Sequence, residues 1–473
     1  MSDAIVVGAG PNGLAAAATL ATRGVTVTVI EAKETIGGGA RSSELTLPGL
    51  LHDDCSATHP MSPGSLALAS LGVERHGLEW AWPEVDLAHP FDDGTAATML
   101  RSIDATAAGL GEAGAAWKRL FGRPSERFDA ICEDIMGPLL HLPRHPLLLA
   151  RFGLPTLAPA TVLARTLPTE RARALFGGVA AHSYSDLRRP LSSAVGVALI
   201  VAGHRYGWPV ARGGSGAIAE ALAAVVRENG GRIETGRPVR SLAELPATDI
   251  VVFDLAPEAI AEIAGERLPA RVARAYRHYK RGPGAFKVDL AVEGGVPWTD
   301  PGARRAGTVH AIGSFEELVA AEREINRGRM PERPFVLVGQ QYLADPGRSQ
   351  GDVHPIWTYA HVPHGYPGDA TDTLLDQVER FAPGLRERIV DRHVRSTAEV
   401  AAYNANYAGG DILTGANTPW QLVARPRLSP NPYSTGIPGM YICSAATPPG
   451  AGAHGMCGYN AAQSALRYLE RTT

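Results

Sequence analysis

The stretch Ala4-Ile-Val-Val-Gly-Ala-Gly-Pro-Asn-Gly-Leu-Ala-Ala-Ala17 predicts a strand, a tight glycine turn and a helix. An apolar β-branched run stops at Gly8, and an Ala- and Leu-rich run begins after Gly13. In such a unit Gly8 permits the turn, Gly10 lets the backbone approach a pyrophosphate, and Gly13 lets the helix pack closely on the sheet. The amino end of the helix would then present its free N–H groups to the phosphates.

A second strand and an acidic residue follow this unit at the expected spacing. Val25-Thr-Val-Thr-Val-Ile30 reads as the strand, and Glu31 stands 18 residues beyond Gly13. A carboxylate at that position can bond both hydroxyls of a ribose. A glycine motif alone would be a weak signal. The ordered set of strand, motif, helix, strand and acid predicts a dinucleotide-binding βαβ unit.

A second glycine cluster indicates an FAD-binding site and not an NAD-binding site. It reads Gly37-Gly38-Gly39-Ala40-Arg41-Ser42. FAD is the longer cofactor, and its pyrophosphate and ribityl chain need a second close approach of backbone. Arg41 can offer a guanidinium fork to phosphate or flavin oxygens. We therefore expect FAD as the cofactor, against the alternative of a plain surface loop.

These two segments together resemble the phytoene desaturase-like, or phytoene dehydrogenase-related, branch of the FAD-dependent amine-oxidase flavoprotein superfamily. The resemblance continues through Trp208–Leu222, Tyr279–Leu290, Asn406–Asp411 and Cys443–Ala462. It therefore covers nearly the whole chain. It implies an α/β fold in which a Rossmann-like FAD-binding domain is interleaved with a mixed α+β substrate domain.

The two predicted domains alternate along the chain. The expected FAD-binding segments are 1–75, 208–275 and 425–473. The expected substrate-domain segments are 76–207, mostly helical, and 276–424, a sheet with helices. In the resembled family the backbone at Val239 meets the adenine, and the loop around Gly450 passes beneath the isoalloxazine.

The resemblance and the motifs together give a set of cofactor-contacting residues. These are Gly8, Gly10, Pro11, Asn12, Gly13, Glu31, Ala32, Gly38, Gly39, Arg41, Ser42, Val239, Gly450, Gly452, His454, Gly455 and Met456. His454 is also the candidate catalytic base, because an imidazole has an unperturbed pKa near 6.5. The alternative is that His454 only packs or bonds against the flavin.

Aromatic side chains in the substrate segments can wall an apolar pocket. The candidates are Tyr206, Trp208, Tyr342, Trp357 and Tyr359, with plain core packing as the alternative. The other histidines, including His182, His310 and His361, are expected to be surface or core residues. None of the 15 histidines belongs to a zinc motif, so we expect no metal.

Composition and charge exclude several other classes of protein. A net charge of −3 does not indicate the positive surface that binds nucleic acid. The 4 cysteines lack pairing or metal-type spacing and read as free thiols of a reducing, cytoplasmic compartment. Ser215 lacks the final glycine of a nucleophile elbow, so we do not expect a hydrolase. No apolar run is long enough to span a bilayer, and no signal peptide is recognisable.

One segment, 135–169, contains no acidic residue and is rich in Leu, Pro and Arg. Its prolines forbid one long amphipathic helix. We expect short helices lining an apolar pocket, with peripheral contact to a membrane surface as the alternative.

The sequence thus predicts an FAD-dependent oxidoreductase that transfers hydride from a C–C, or alternatively a C–N, bond of a hydrophobic small molecule to flavin N5. A carotenoid or isoprenoid-like substrate follows only from the resemblance. A redox-neutral isomerase, a reductase and a non-catalytic FAD-binding chaperone-like protein are the alternatives. The substrate's identity, the electron acceptor and the oligomeric state stay open.

Overall fold

The computed structural model describes residues 2–472. Its strands are β1 Asp3–Val7, β2 Thr26–Ile30, β3 Ser42–Ser43, β4 His52–Asp53, β5 Trp80–Ala81, β6 Val85–Pro90, β7 Ala96–Met99, β8 Val210–Ala211, β9 Arg232–Glu234, β10 Ile250–Phe253, β11 Gly284–Glu293, β12 Ala306–Ala311, β13 Val336–Gly339, β14 Val353–Val362, β15 Ile389–Arg395 and β16 Met440–Ile442.

The α-helices alternate with these strands. They are α1 Pro11–Ala21, α2 Leu66–Leu71, α3 Ile103–Gly109, α4 Gly114–Glu126, α5 Phe128–Ile135, α6 Pro146–Leu157, α7 Ala160–Ala164, α8 Glu170–Ala181, α9 Ala194–Tyr206, α10 Gly216–Glu228, α11 Pro257–Ala264, α12 Ala270–Arg277, α13 Phe315–Ile325, α14 Thr371–Glu379, α15 Leu385–Arg388, α16 Thr397–Tyr403, α17 Pro419–Val423 and α18 Met456–Thr472.

The first sheet is parallel and has the strand order β16-β10-β1-β2-β9. Helices α1, α10 and α18 pack together against one face, and α11 and α12 cover the other. The central strand β1 is apolar on both sides because both of its faces are covered, as is usual for parallel sheets. Strands β1, β2 and β10 lie at the centre of this sheet. Because they are parallel, their carboxyl ends form one edge.

The second sheet has seven strands in the order β15-β11-β14-β13-β12-β6-β7. Its pairings are antiparallel except for β12 with β6. Helices α8 and α9 belong to the apolar cluster on one face, and α14 belongs to the cluster on the other. A parallel Rossmann-like sheet with a separate mixed sheet is the α/β fold class that the sequence predicts, which is thereby confirmed.

Residues 76–207 are mostly helical, and they also hold the hairpin β6–β7, which forms one edge of the second sheet. All six residues of β6 are buried, so the strand lacks the alternation that marks a half-exposed one. Strand β13 ends at Gly339, and a turn of 3₁₀ helix begins at Gln341. The predicted domain boundaries stay a prediction.

Within residues 2–472 no helix is both long and apolar enough to cross a membrane.

Candidate active-site cleft

A single cleft of about 600 Å³ joins the carboxyl edge of the parallel sheet to the second sheet. One end is walled by backbone around Gly8 and Gly38, and the other by Trp357 and Tyr359. Ligands of open α/β sheets bind at this kind of edge, outside the carboxyl ends of the strands. The cleft therefore joins the predicted nucleotide unit to the predicted aromatic wall.

The first glycine turn has the conformation that its sequence predicts. Gly8 has φ +101°, a left-handed backbone that side chains disfavour. A Cβ on Gly13 would collide with the carbonyl oxygen of Gly8, so α1 packs closely on the turn. Helix α1 begins at Pro11, which lines the cleft together with Asn12. The Oδ1 atom of Asn12 is buried and has no hydrogen-bond partner among residues 2–472.

Glu31 lies in the cleft wall directly after β2. One carboxylate oxygen accepts the Ala9 N–H at 2.7 Å, and the other accepts the Lys33 N–H at 2.9 Å. Each oxygen of a carboxylate can accept two hydrogen bonds. The side chain is therefore held in place and still has acceptor capacity for ribose hydroxyls.

The second glycine cluster is held against the first by a segment from far along the chain. A Cβ on Gly38 would come within 2.9 Å of the Gly10 Cα, and a Cβ on Gly39 would collide with the Tyr407 hydroxyl. The Tyr403 hydroxyl donates to the Gly38 carbonyl at 2.8 Å. Both clusters thus line one end of the cleft with bare backbone, as a long dinucleotide requires.

Two residues of the second cluster differ from expectation. Arg41 lines the cleft, but its guanidinium donates to the carbonyls of Thr35, Ile36 and Gly38. The Arg41 side chain therefore stabilises the loop, and these N–H groups are not free to bind phosphate or flavin oxygens. The Ser42 hydroxyl lies outside the lining, where it donates to a buried carboxylate and accepts the Gly216 N–H at 3.0 Å. A cofactor contact by the Ser42 side chain has no support in this geometry.

The buried carboxylate that Ser42 contacts is Asp53, in a network that sequence reasoning missed. Asp53 accepts the Ser215 N–H at 2.6 Å and binds Arg348 at 2.6 Å. Burial alone would raise the pKa of Asp53, but Arg348 and these donors hold it below its ordinary value. The Ser215 hydroxyl contacts His59 Nε2 at 2.8 Å and is fully buried, so the segment before α10 is a structural clamp.

The carboxyl-terminal loop contributes backbone to the cleft. Gly450 and Gly452 line it, with φ of +117° and +141°. The next residues lie behind the lining. Gly455 backs onto α1, and the buried Met456 begins α18.

His454 also lies behind this loop, outside the lining of the cleft. Its Nδ1 accepts the Met456 N–H at 3.1 Å, and burial lowers the pKa of its imidazole to about 4. The imidazole thus caps the amino end of α18. Its predicted role as a base stays a prediction.

The remaining predicted cofactor residues divide in the same way. Ala32 and Val239 line the cleft along with Gly8, Gly10, Pro11, Asn12, Glu31, Gly38, Gly39, Arg41, Gly450 and Gly452; Gly13, Ser42, His454, Gly455 and Met456 do not.

Asp254 is a cleft residue that sequence reasoning missed. It follows β10 directly, so it stands at the carboxyl edge of the sheet, and this position is the signal that was available. Its Oδ2 accepts the Gly13 N–H at 3.0 Å. Burial, with the charge of Glu31 as a smaller contribution, raises the pKa of Asp254 to about 7. A carboxyl group that is half neutral near pH 7 thus lies beside the first glycine turn.

Three of the five predicted aromatic residues lie at the cleft. Trp208, Trp357 and Tyr359 line the cleft. Tyr206 lies outside it, where its hydroxyl donates to Asp129 at 2.5 Å. Tyr342 stacks on His354 with ring centroids 4.1 Å apart, also outside the lining. A pocket contact by either tyrosine has no support here.

Four histidines that no sequence motif links meet beneath the aromatic wall. They are His89, His182, His310 and His361. His182 alone of the four reaches the cleft, and its Nε2 lies 3.0 Å from His310 Nε2. The residues described contain no cluster of His, Cys, Asp and Glu that could hold a metal ion.

Comparison with known proteins agrees with this geometry. Residues 6–69 match the family model of an NAD(P)-binding Rossmann-like domain. The chain is 23% identical over 568 residues to pyridine nucleotide-disulfide oxidoreductase domain-containing protein 2 of Rattus norvegicus, covering 99% of this chain and 94% of that protein.

Solved structures give the same fold over the full length. An oxidoreductase from Methanosarcina mazei has a TM-score of 0.65 and 16% identity, with 98% of this chain and 100% of that chain covered. A putrescine oxidase bound to putrescine has a TM-score of 0.62 and 16% identity, with 100% and 99% covered.

The fold, the cleft and these matches define the class: the chain has the amine-oxidase-type fold of FAD-dependent oxidoreductases. Within that class its N-terminal unit is similar to NAD(P)-binding Rossmann-like domains. The narrower phytoene desaturase-like branch is not confirmed.

Proposed function

We propose that this protein binds FAD along the cleft and oxidises a hydrophobic small molecule at the aromatic end. The observation that supports this most directly is the continuity of the cleft. Bare backbone at Gly10 and Gly38 walls one end, and Trp208 and Tyr359 wall the other, within one cavity. The cofactor would therefore reach from the parallel sheet to the substrate pocket.

The chain's own residues fit such a cofactor. Glu31 has free acceptor capacity for the adenosine ribose, and Pro11 and Asn12 at the start of α1 line the cleft. The Oδ1 atom of Asn12 is buried and unpartnered within residues 2–472. The backbone at Val239 would contact the adenine, and Gly450 and Gly452 would pass by the ring system.

Bound flavin supplies hydride acceptance, and the protein supplies position and exclusion of water. The aromatic wall buries an apolar substrate against the cofactor's reactive end. A proton lost from the substrate leaves to a cleft group or to water. The bond oxidised is C–C by the phytoene desaturase resemblance, with carotenoid or isoprenoid-like molecules as the implied class.

Oxidation of a C–N bond is the second candidate. A putrescine oxidase shares the fold over its full length. The redox-neutral isomerase, the reductase and the non-catalytic FAD-binding protein remain alternatives to both.

Anaerobic mixing separates these functions. A dehydrogenase bleaches its own flavin when an apolar C–C or C–N substrate is added, an isomerase converts substrate only with prereduced flavin, and a binding protein does neither. We expect bleaching by at least one member of a panel of isoprenoid hydrocarbons and apolar amines. A protein that is purified without FAD and cannot be loaded with it would contradict the proposal as a whole.

We further propose peripheral contact with an anionic membrane through helix α6 and the residues before it. Leu142 is 93% exposed and Leu147 is 88% exposed. Arg144 and Arg151 lie in this acid-free segment, and the Arg144 guanidinium also donates to Glu133 at 3.2 Å. Apolar side chains combined with positive charge suit an anionic lipid surface.

The pocket-lining role expected for residues 135–169 has no support, because none of them lines the cleft. Helix α6 instead packs on α9, which supplies the cleft residues Val195 and Leu199. A membrane bound at α6 would therefore lie near the substrate end of the cleft, where an apolar substrate would enter.

A further inference from the structure

We propose that Arg425 binds a carboxylate group of the substrate, so that the cleft takes apolar acids in preference to neutral molecules of the same shape. The proposal rests on the proposed function, because it adds a substrate class to the same cleft. The observation behind it is a buried guanidinium that lines the cleft and forms no ion pair within residues 2–472.

The pairing of Arg425 differs from that of the other two arginines in the cleft wall. Arg41 lies 3.5 Å from a Glu31 oxygen, and Arg237 lies 2.5 Å from a Glu234 oxygen. Arg425 is only 4% exposed, yet it forms no ion pair with any carboxylate of the residues described. An arginine keeps its charge in proteins and is rarely buried without a partner. The cleft wall therefore holds a fixed positive charge that is left for a bound anion.

The acid nearest to Arg425 in sequence does not supply the missing charge. This acid is Asp411, whose oxygens accept the backbone N–H groups of Gly282, Leu413 and Gly415 at 2.8 to 3.1 Å. Burial raises the pKa of Asp411, which favours its neutral form. Asp411 therefore stabilises its own loop and leaves the guanidinium unpaired.

The Arg425 side chain is held in a defined position by helix α17 and the residues before it. Its Nε donates to the carbonyl of Gln421 at 3.0 Å, and its Nη2 donates to Asn417 Oδ1 at 2.6 Å. The Nδ2 of Asn417 donates in turn to the Ser183 carbonyl at 3.0 Å, so both ends of this amide are bonded. A charged group that is already ordered loses little freedom when it binds a ligand.

The Nη1 atom of Arg425 is the part of the guanidinium that remains free. It has no hydrogen-bond partner in the described part of the chain, and it is not among the fully enclosed polar atoms. It lies 2.9 Å from the place where a Cβ on Gly450 would stand. Gly450 itself lines the cleft, so the missing side chain leaves space beside Nη1. Two of the five N–H donors of the guanidinium are on this atom, and both suit a carboxylate.

The contacts of Arg425 connect it to the aromatic end of the cleft. Asn417, which holds Nη2, is bonded to Ser183, and the preceding His182 has its ring in the cleft lining, 5.5 Å from the Trp208 ring. The proposed function assigns the phosphates of FAD to the glycine clusters at the other end. A substrate whose carboxylate binds Arg425 can therefore place its apolar part against the aromatic wall of the same cavity.

The experiment is calorimetric titration of the oxidised, FAD-loaded protein with 4-phenylbutyrate and 4-phenylbutanamide, which share one carbon skeleton and differ in charge. We expect the wild-type protein to bind the acid at least about tenfold more tightly at neutral pH. Arg425→Gln should remove this preference, and Arg425→Lys should keep part of it as a point charge. Arg237→Gln, at a cleft arginine that is already paired, is the matched control and should keep the full preference.

A second variant tests the charge while the arginine stays in place. Asn417→Asp would put a carboxylate on the atom that already accepts from Nη2, so the guanidinium would be paired within the chain. The preference for the acid should then disappear as it does in Arg425→Gln. Equal binding of acid and amide by the wild type, or a preference that survives in both variants, would overturn the proposal.

The reduction potential of the flavin without ligand tests the other anion that this charge could pair with, an anionic reduced flavin. A lower potential in Arg425→Gln with an unchanged preference for the acid would assign Arg425 to the cofactor and overturn the proposal. The titration needs no turnover. An FAD-loaded protein without the preference overturns this proposal alone, whereas a protein that cannot be loaded with FAD contradicts the proposed function.

Discussion

Asp254 Oδ2 accepts the backbone N–H of Gly13 at 3.0 Å, although the two residues lie 241 positions apart. The bond joins the end of β10 to the first turn of α1, at the place where the phosphates of a dinucleotide would lie. A second anionic charge there opposes the binding of phosphate. We therefore expect the protonation of Asp254 to be coupled to the binding of FAD.

We expect the affinity for FAD to fall as pH rises through 7. Burial raises the pKa of Asp254 from 3.8 to about 7, and a bound dianion would raise it further. Binding then takes up a proton, and the dissociation constant rises by up to about tenfold per pH unit above 7. Asp254→Asn should abolish this dependence. Fluorescence titration of apoprotein between pH 6 and 9 measures it, and a wild-type profile without slope would refute the coupling.

The protonation of Asp254 also changes the free energy of unfolding of the apoprotein with pH. A raised pKa in the folded apoprotein means that the neutral form is favoured by folding. The stabilisation of the folded apoprotein by neutral Asp254 is fully present below about pH 4, and it is lost as pH rises through 7. Asp254→Asn apoprotein should therefore gain stability over wild type at pH 8 but not at pH 4, as measured by urea unfolding at both values.

Gly10→Val should prevent FAD binding. A Cβ on Gly10 would stand 2.5 Å from Asp254 Oδ2 and 3.9 Å from Gly38 Cα, between the two glycine clusters. The larger side chain would fill the space that the pyrophosphate needs. Gly109→Val is the matched control, since nothing lies within 4 Å of its Cβ. Full occupancy by FAD in Gly10→Val, read from the visible spectrum, would show that the phosphates bind elsewhere.

Glu31→Ala should weaken FAD binding by about 1.5–3 kcal/mol, the usual value of hydrogen bonds to a charged group. This corresponds to roughly 10- to 150-fold in the dissociation constant. Because Glu31 also holds the Ala9 N–H, the melting temperature of the apoprotein must be measured alongside. Glu34→Ala removes an exposed acid from the same loop and is the control. Equal affinity in Glu31→Ala and Glu34→Ala would exclude the ribose contact.

His454→Ala distinguishes a cap from a base. The bond from the Met456 N–H to His454 Nδ1 predicts a loss of about 0.5–2 kcal/mol of stability, as for other capping side chains. Anaerobic flavin reduction should then keep its wild-type rate. A base would instead slow reduction by about 10²-fold or more while FAD stays bound. Stopped-flow spectroscopy and thermal unfolding of the same variant measure both quantities.

Leu147→Asp should reduce binding to vesicles that contain phosphatidylserine. The exposed leucine would insert into the lipid surface beside Arg144 and Arg151. An aspartate at this position would have to be desolvated and would be repelled by the anionic lipid. Leu428→Asp, at another exposed leucine, is the control. Flotation at low salt is the measurement, with vesicles of phosphatidylcholine alone as the uncharged surface. Absence of wild-type binding to either vesicle would remove the membrane contact.

Local sequence determined the parts of this protein that depend on near neighbours. Gly8, Gly13 and Glu31 lie within one βαβ unit, where turn geometry, helix packing and strand length follow from residue type and spacing. Their fold was therefore predictable, as was the place of Gly8 and Glu31 in the lining of the cleft. The second glycine cluster was predictable for the same reason, because bare backbone is a property of the residue itself.

Tertiary structure decided what depends on partners distant in sequence. His182 and His310 are 128 residues apart, and only the packing of α8 on the second sheet brings their Nε2 atoms together. Arg41 and His454 have the side chains that the predicted roles need, but neighbouring carbonyl and N–H groups already occupy their polar atoms. A sequence shows which groups can donate or accept. The folded chain decides which of them remain free for a ligand, because most buried polar atoms are bonded to neighbouring groups.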